Sequence, residues 1–420
     1  MKQTKTTMSE SDAVAELRHV NALVYARPSS GSLIAERTQK LSYPASLTYS
    51  LGSTMQFIIN SGTESVWGPS SYLKLKVTPV GVGAITMVGS MFNLFSQARL
   101  YHRSGELLEQ VFFSDVLSNI KLRYMTSFSD YQKLASLIGG NAAVGVADTC
   151  GLTAGSVSNY NLPLCMLFGL FDNHSQFIPS QLLAGARIEL VLNSNTASMG
   201  LTSAGATLTD LTNITPVLSL DCAKVYDEAQ KQIMEESADV QESGIQFTYS
   251  TFFASQFQPA GGAINIDVLQ SASLTEKVMV VSTTNSLATK YTFRPLNTAA
   301  AGYQYQFRIG AHYLPIYSVQ DDVEAFYQTQ IAFNGAYNQY SRAPSHTGVG
   351  VTKFDNFNCV YATSLEKSAS GVQLSGEPTN NSRLINFSAQ GTEAVATVTT
   401  VFLQYVRVAN CMLDSCVVDR

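Results

Sequence analysis

Asp321 and Asp322 stand side by side, and paired carboxylates are what general acid–base or metal chemistry would use. They fall in the segment Ser318-Val-Gln-Asp-Asp-Val-Glu-Ala-Phe-Tyr, whose apolar residues return at helical spacing, so both carboxylates lie in a first helical turn. The partial positive charge of a helix start accounts for them without catalysis. Asp172-Asn-His174 has side chains that hold cations, yet it reads as an exposed turn. Gly348-Val-Gly-Val-Thr-Lys353 lacks the four-residue spacer and the Gly-Lys-Ser/Thr ending of a phosphate loop, which leaves a Gly-rich loop. His19, His102, His174, His312 and His346 are too scattered for the two-on-one-turn pattern of a zinc protease. A Gly-x-Ser-x-Gly elbow is absent from the sequence. Cys150, Cys165, Cys222, Cys359, Cys411 and Cys416 show no two-residue spacing of a zinc or redox motif. The sequence thus nominates no catalytic, cofactor-binding or metal-ligating residue, and the expectation is a protein that is not an enzyme.

Two Tyr-rich stretches, 303–317 and 327–340, have rings that could stack on bases or sugars. Gln and Asn, with few Lys or Arg, are interleaved among them, which favours a packed sheet or a subunit interface. The whole chain agrees: of 420 residues 45% are hydrophobic and only 14% charged, with 20 Tyr and 21 Phe. Charge depletion and aromatic enrichment are normal where copies of a protein cover one another; a β-rich surface of Ser, Thr, Asn and Gln would read the same way. The net charge of −5 does not suit a surface that condenses nucleic acid. Any nucleic-acid contact is therefore expected to be local, at most through the mildly basic start Met1-Lys-Gln-Thr-Lys, which more often is simply a solvated terminus. The first thirty residues hold no apolar core of signal-peptide length, which predicts synthesis and folding in the cytosol. The sequons at Asn173, Asn213, Asn380 and Asn386 are then chance matches.

The elements that position these residues are mostly strands. Leu73, Leu75 and Val77 alternate with Lys74 and Lys76, and Ile188, Leu190 and Leu192 with Arg187 and Glu189. In the second half Ile245, Phe247 and Tyr249 alternate with Gln246, Thr248 and Ser250. Tyr303, Tyr305, Phe307 and Ile309 alternate with Gln304, Gln306 and Arg308. Three segments read as helices. One places Val116, Leu117, Ile120 and Tyr124 on a face behind a Ser114 or Asp115 cap. Another has a capping box from Ser318 to Asp321 and a stripe of Val323, Phe326, Tyr327 and Ile331. The third, Asp227 to Ser237, is a polar connector. One amphipathic helix after the early strands of each half, with a polar helix between, predicts a duplicated architecture. The expected divisions are an N-terminal arm at 1–44, a first β domain at 45–226, a helical connector at 227–243 and a second β domain at 244–420.

Several stretches, in order, resemble the double jelly-roll major capsid proteins of tailless icosahedral double-stranded DNA viruses, the lineage of polinton-like viruses, virophages, adenoviruses and tailless phages. They are Ser71-Tyr-Leu-Lys-Leu-Lys-Val, Phe92-Asn-Leu-Phe-Ser-Gln-Ala-Arg-Leu-Tyr, Leu107-Leu-Glu-Gln-Val, and Phe177-Ile-Pro-Ser-Gln-Leu-Leu with the strand after it. In the second half they are Phe307-Arg-Ile-Gly-Ala-His-Tyr-Leu-Pro-Ile-Tyr, the helix from Val323 to Ile331, and Val401-Phe-Leu-Gln-Tyr-Val-Arg-Val-Ala-Asn. The resemblance runs from about Ser46 to Val418 and departs from the family between Gly348 and Thr392. It implies an all-β chain of two consecutive eight-stranded jelly rolls with a few short helices in loops. It also implies a homotrimeric, pseudo-hexagonal capsomer, trimer–trimer contacts in an icosahedral shell, penton or minor capsid partners and location in the virion. Whether a membrane lies beneath the shell stays open. Long loops before Leu162 and between Gly348 and Thr392 are expected to project from the rolls. The competing reading is a carbohydrate-binding or adhesive β-sandwich, which calls for a secretion signal and disulfides.

Overall fold

The alternating segments become two sandwiches laid out by one plan. The computed structural model describes residues 34–420 except 82–83, 141–148, 154, 175, 196–198, 200, 203–207, 226–244, 259–262, 285–289, 292, 294–303, 335–358, 368–375, 380–382, 391–396, 412–415 and 420. In the first half, β1 (Ile34–Ser42), β11 (Leu208–Val225), β3 (Ser65–Gly81) and β8 (Ser158–Pro163) form one sheet in that order. β2 (Thr54–Ile58), β9 (Arg187–Leu192), β5 (Phe95–Tyr101) and β6 (Leu107–Phe112) form the second sheet. β10 (Leu201–Thr202), β4 (Ala84–Val88) and β7 (Thr149–Thr153) make a small separate sheet.

The second half repeats this arrangement. β12 (Ile245–Phe257), β19 (Thr397–Cys411), β14 (Thr275–Thr284) and β17 (Val360–Ser364) form one sheet, with β20 (Cys416–Asp419) added on β19. β13 (Ala263–Val268), β18 (Ile385–Gln390), β15 (Gln304–Ile309) and β16 (His312–Val319) form the other. Among the described residues, with the small sheet and β20 set aside, each half has eight strands. Counted along the chain, they stand in the order 1-8-3-6 in one sheet and 2-7-4-5 in the other. That order, antiparallel throughout, is a jelly roll, and the chain carries it twice.

Side-chain alternation decides which face each strand buries. Leu73, Leu75 and Val77 are fully buried while Lys74 and Lys76 are exposed, and Tyr305, Phe307 and Ile309 are buried with Arg308 outside. A one-residue slip in either strand would exchange these sets, so burial fixes the register.

Several expectations change. Residues 34–42, expected within the arm, form β1 and pair with β11 from Ile34↔Val225 to Ser42↔Leu218. The expected connector helix at 227–243 lies outside the described residues, as do residues 1–33. The segment from Gly348 to Thr392 is not only projecting loop, because it supplies β17 and β18. The first helix, α1 (Ser114–Ile120), continues as a π-helical turn through Met125 and is followed by α2 (Phe128–Ile138). Its N-cap is Phe113, with φ of 51°, in place of Ser114 or Asp115, because both of those side chains are engaged elsewhere. Ser114 donates to the carbonyl of Phe95 at 2.7 Å.

The second long helix, α3 (Asp322–Asn334), bears out the expected stripe only in part: Phe326 packs against the core, but the inward face is otherwise a different one. Ala325, Thr329, Ala332 and Phe333 are buried, whereas Val323 and Tyr327 face solvent. The Thr329 hydroxyl, which donates to the carbonyls of Ala325 and Val360, lets a polar residue occupy the buried side.

Candidate functional site at the junction of the two rolls

The sequence-nominated chemistry resolves into local structure. Asp321 is a helix cap, its Oδ1 accepting the Glu324 N–H at 2.7 Å. Asp172 and His174 form an exposed pair 3.3 Å apart. His102 is buried between Ser104 Oγ, 2.8 Å from Nδ1, and the Gln181 carbonyl, 3.1 Å from Nε2; burial lowers its pKa. His312 is exposed, while His19, His346 and the loop at 348–353 lie outside the described residues. Cys165, Cys222 and Cys359 are not in disulfides, and burial pushes the thiols of the first two up to about 12 and about 11. No cluster of three or more His, Cys, Asp or Glu able to hold a metal occurs among the described residues. Asn386 of the last sequon is buried in β18 and donates to Asn265 Oδ1 at 2.6 Å and Asp267 Oδ1 at 2.8 Å, so its amide is already used.

The polar groups with unusual surroundings gather where the rolls meet. β6 is the edge of its sheet, and unpaired backbone at an edge must be covered or solvated. The second roll covers it. The Leu108 carbonyl accepts from Arg407 Nη1 at 2.7 Å and from the Tyr249 hydroxyl. Phe247, Tyr249 and Ala409 of the second roll join the first roll's apolar core. In return Val116, Leu117, Ile120 and Tyr124 of the first roll join the second roll's core. Tyr124 stacks on Phe333 with ring centroids 5.1 Å apart. The stripe expected on α1 is therefore real, but what it packs against belongs to the other half of the chain.

Two carboxylates are fully buried at this junction. Glu109 accepts the N–H groups of Gly169 at 2.8 Å and Leu170 at 3.1 Å, and the Thr251 hydroxyl from the second roll at 2.7 Å. Burial raises its pKa, and these three donors, with Lys121 nearby, oppose the rise. Asp115 accepts the Tyr291 hydroxyl at 2.8 Å and Asn193 Nδ2 at 3.2 Å, and pairs with Lys290. Two further buried cations join Arg407 here. Lys121 donates to the Cys165 carbonyl at 3.1 Å and sits 4.8 Å from the Phe252 ring. Arg123 donates to the Tyr291 carbonyl at 3.1 Å and lies 4.7 Å from the Phe293 ring. Charges this deep persist only with partners, and here many partners come from the opposite roll. The junction thus fixes the two rolls side by side.

Sequence reasoning passed over Glu109 and Asp115. The signal for Glu109 was present: alternation places it on the same face as Val111. Asp115 gave none, because an acidic residue at a helix start is explained locally.

On the second roll's other sheet, a depression of about 390 Å³ is lined by residues that include Asn265, Gln306, Arg308, Tyr313 and Asn386. Gln306 is spent on the carbonyls of Pro315 and Ile316, and Asn386 on its strand neighbours. The exposed large apolar side chains include Tyr313, Ile316, Tyr317, Val323 and Tyr327 on β16 and α3, and Leu41, Tyr43 and Leu47 on and after β1.

No protein-family model and no curated protein matches the sequence. Solved structures do match its fold. Faustovirus major capsid protein aligns with a TM-score of 0.64 at 9% identity, over 93% of this chain and 93% of that one. The quasi-atomic model of the PBCV-1 virus capsid aligns with a TM-score of 0.62 at 10% identity, over 94% and 98%. Mavirus major capsid protein aligns with a TM-score of 0.52 at 11% identity, over 100% and 96%. With identities this low the shared property is the architecture, and it extends over nearly the full length of each. The chain has the double jelly-roll fold of these viral major capsid proteins.

Proposed function

We propose that this chain is the major shell-forming protein of a virus, three copies making a pseudo-hexagonal capsomer and the capsomers tiling an icosahedral shell around a double-stranded DNA genome. The observation that carries the reading is the repetition of one eight-strand order in two rolls locked side by side, in a chain matched over 94% and 93% of its length by capsid structures. Two similar rolls per chain put six similar outer walls on a trimer, which suits a position with six neighbours. Contacts between different surfaces can then propagate into a shell, where a closed twofold contact would stop growth.

In this reading the mature location is the virion, after synthesis in the host cytosol. The partners are further copies of the chain together with penton or minor capsid proteins. Genome contact is confined to the basic terminal residues before β1, and the chain contributes position and no catalytic step.

Absolute mass by light scattering on the full chain, with imaging of the same fraction, tests the proposal. Three times 45.4 kDa with a pseudo-hexagonal outline, or closed shells, is the expected result. A stable monomer at working concentration overturns it and brings the sugar-binding reading forward.

A further inference from the structure

A nucleophile, an electrophile and a proton carrier meet at one oxygen in the junction. Asp115 Oδ2, at the start of α1, accepts Asn193 Nδ2 at 3.2 Å and pairs with Lys290 Nζ. Asp115 and Asn193 belong to the first roll, Lys290 to the second. Asp115 is fully buried and Asn193 is 4% exposed. Backbone bonds hold Asn193 in place: its N–H donates to the Leu94 carbonyl at 2.8 Å, and its carbonyl accepts the Gly52 N–H at 2.9 Å. Its Nδ2 also donates to the Asn93 carbonyl at 2.6 Å. Both neighbours of that nitrogen are acceptors, which settles which end of the amide faces Asp115.

A lysine amine becomes a nucleophile once it gives up a proton, and an amide nitrogen leaves only once it gains one. Asp115 Oδ2 touches both nitrogens, so one carboxylate can take the proton from Lys290 Nζ and hand it to Asn193 Nδ2. Fixing both groups on a single oxygen replaces a bimolecular encounter with an internal one. Burial of Asp115 and Asn193 keeps out water, the competing nucleophile. If Asp115 itself were acylated, the proton carrier would be consumed; with Asn193 as the acyl donor it is preserved. The Tyr291 hydroxyl, which donates to Asp115 at 2.8 Å, steadies the carboxylate throughout.

We propose that Lys290 and Asn193 join in an isopeptide bond that ties the two rolls together covalently. The bond from Nζ to Cγ forms as the bond from Cγ to Nδ2 breaks. The lysine ammonium and the asparagine amide thereby become one secondary amide and one ammonium ion, and Asp115 ends as it began. No oxidant, metal or cofactor enters the balance. Lys290, 21% exposed, marks the side on which the ammonium ion departs. The event happens once per chain and acts on no other substrate, and it is independent of the shell-protein reading. It closes the chain between residues 193 and 290 into a loop, restricting the unfolded state as a disulfide does but without sensitivity to reductant.

Mass spectrometry of the intact, denatured and reduced full chain, followed by tryptic mapping, tests the proposal. Wild type is expected to be lighter than its sequence by one ammonia, with a branched peptide joining the Lys290 and Asn193 segments. Lys290→Arg, which keeps the charge but cannot form the bond, and Asp115→Asn, which removes the proton carrier, are expected to show the full sequence mass. A wild type of full mass, with Lys290 in a linear peptide, overturns the proposal whatever the variants do, so a variant that fails to fold does not remove the test. Loss of one water with a branch at Asp115 overturns the choice of Asn193. An Asp115→Asn chain linked as completely as wild type overturns the role given to Asp115.

Discussion

The Asp115 carboxylate, at the start of α1 in the first roll, accepts the hydroxyl of Tyr291 from the second roll across 2.8 Å, and Lys290 closes on the same oxygen. The bond ties a buried charge to the relative placement of two sandwiches that are each complete in strand order. Asp115→Ala leaves Tyr291 and Lys290 without their shared acceptor. A loss of about 3–5 kcal/mol in urea unfolding is expected, the range for breaking a buried pair by removing one partner. A loss below about 1 kcal/mol would show that the junction does not depend on this carboxylate.

Glu109 sets a pH trend. Its folded pKa lies above the ordinary carboxylate value, so the folded state binds its proton more tightly than the unfolded state does. Its unfavourable contribution is absent below the unfolded pKa of about 4 and grows as pH rises toward the folded value. Glu109→Gln cannot ionise, so its stability relative to wild type should improve as pH is raised from about 4 to about 7, whatever the offset from lost hydrogen bonds. Paired urea titrations across that range give the answer, and a relative decline with pH would contradict the assignment.

Asp221 runs the other way. The Arg37 guanidinium holds its carboxyl below the ordinary value, with Ser70 assisting. The stabilisation is present above the unfolded pKa of about 4 and is lost as pH falls through the depressed folded value. Arg37 is largely exposed, so Arg37→Ala should cost no more than about 1 kcal/mol at neutral pH. The melting difference between variant and wild type should close as pH falls through the depressed folded value. A neutral-pH effect of zero would mean that β1 is not held to β11 by this pair.

Gly169 has an ordinary helical φ of −69°, so backbone conformation does not demand glycine there. Close approach does: an added Cβ would stand 1.7 Å from the Ser250 carbonyl oxygen of the second roll. Gly169→Ala must push the rolls apart locally. Overpacking of about 1–3 kcal/mol or more is expected in urea unfolding. Wild-type stability in this variant would indicate that the rolls are looser than the structure draws them.

Much of the fold was legible because strand alternation is a local property. Leu73, Leu75 and Val77 against Lys74 and Lys76 announce one buried face without knowledge of any neighbour. Arg37 to Leu41 announced nothing comparable. β1 is an edge strand whose outward face is solvated, so residues 34–42 read as part of a polar arm. Half of the α3 stripe misled for a related reason. Val323 and Tyr327 are apolar at helical spacing, yet the inward positions went to Ala325, Thr329 and Ala332, small enough to pack closely on β17. A surface that presents aromatics outward breaks the assumption that the apolar face is the buried one.

By itself the sequence determined the β class, the two-part division, the alternating faces and the low charge, because each depends on residue type and near spacing. Tertiary structure alone decided the identical strand order of the two rolls and the exchange of apolar side chains between their cores. It also decided the use of Glu109 and Asp115 as internal ties. The physical reason is separation along the chain: Glu109 meets Thr251, Asp115 meets Tyr291 and Leu108 meets Arg407, and no local pattern encodes a partner more than a hundred residues away.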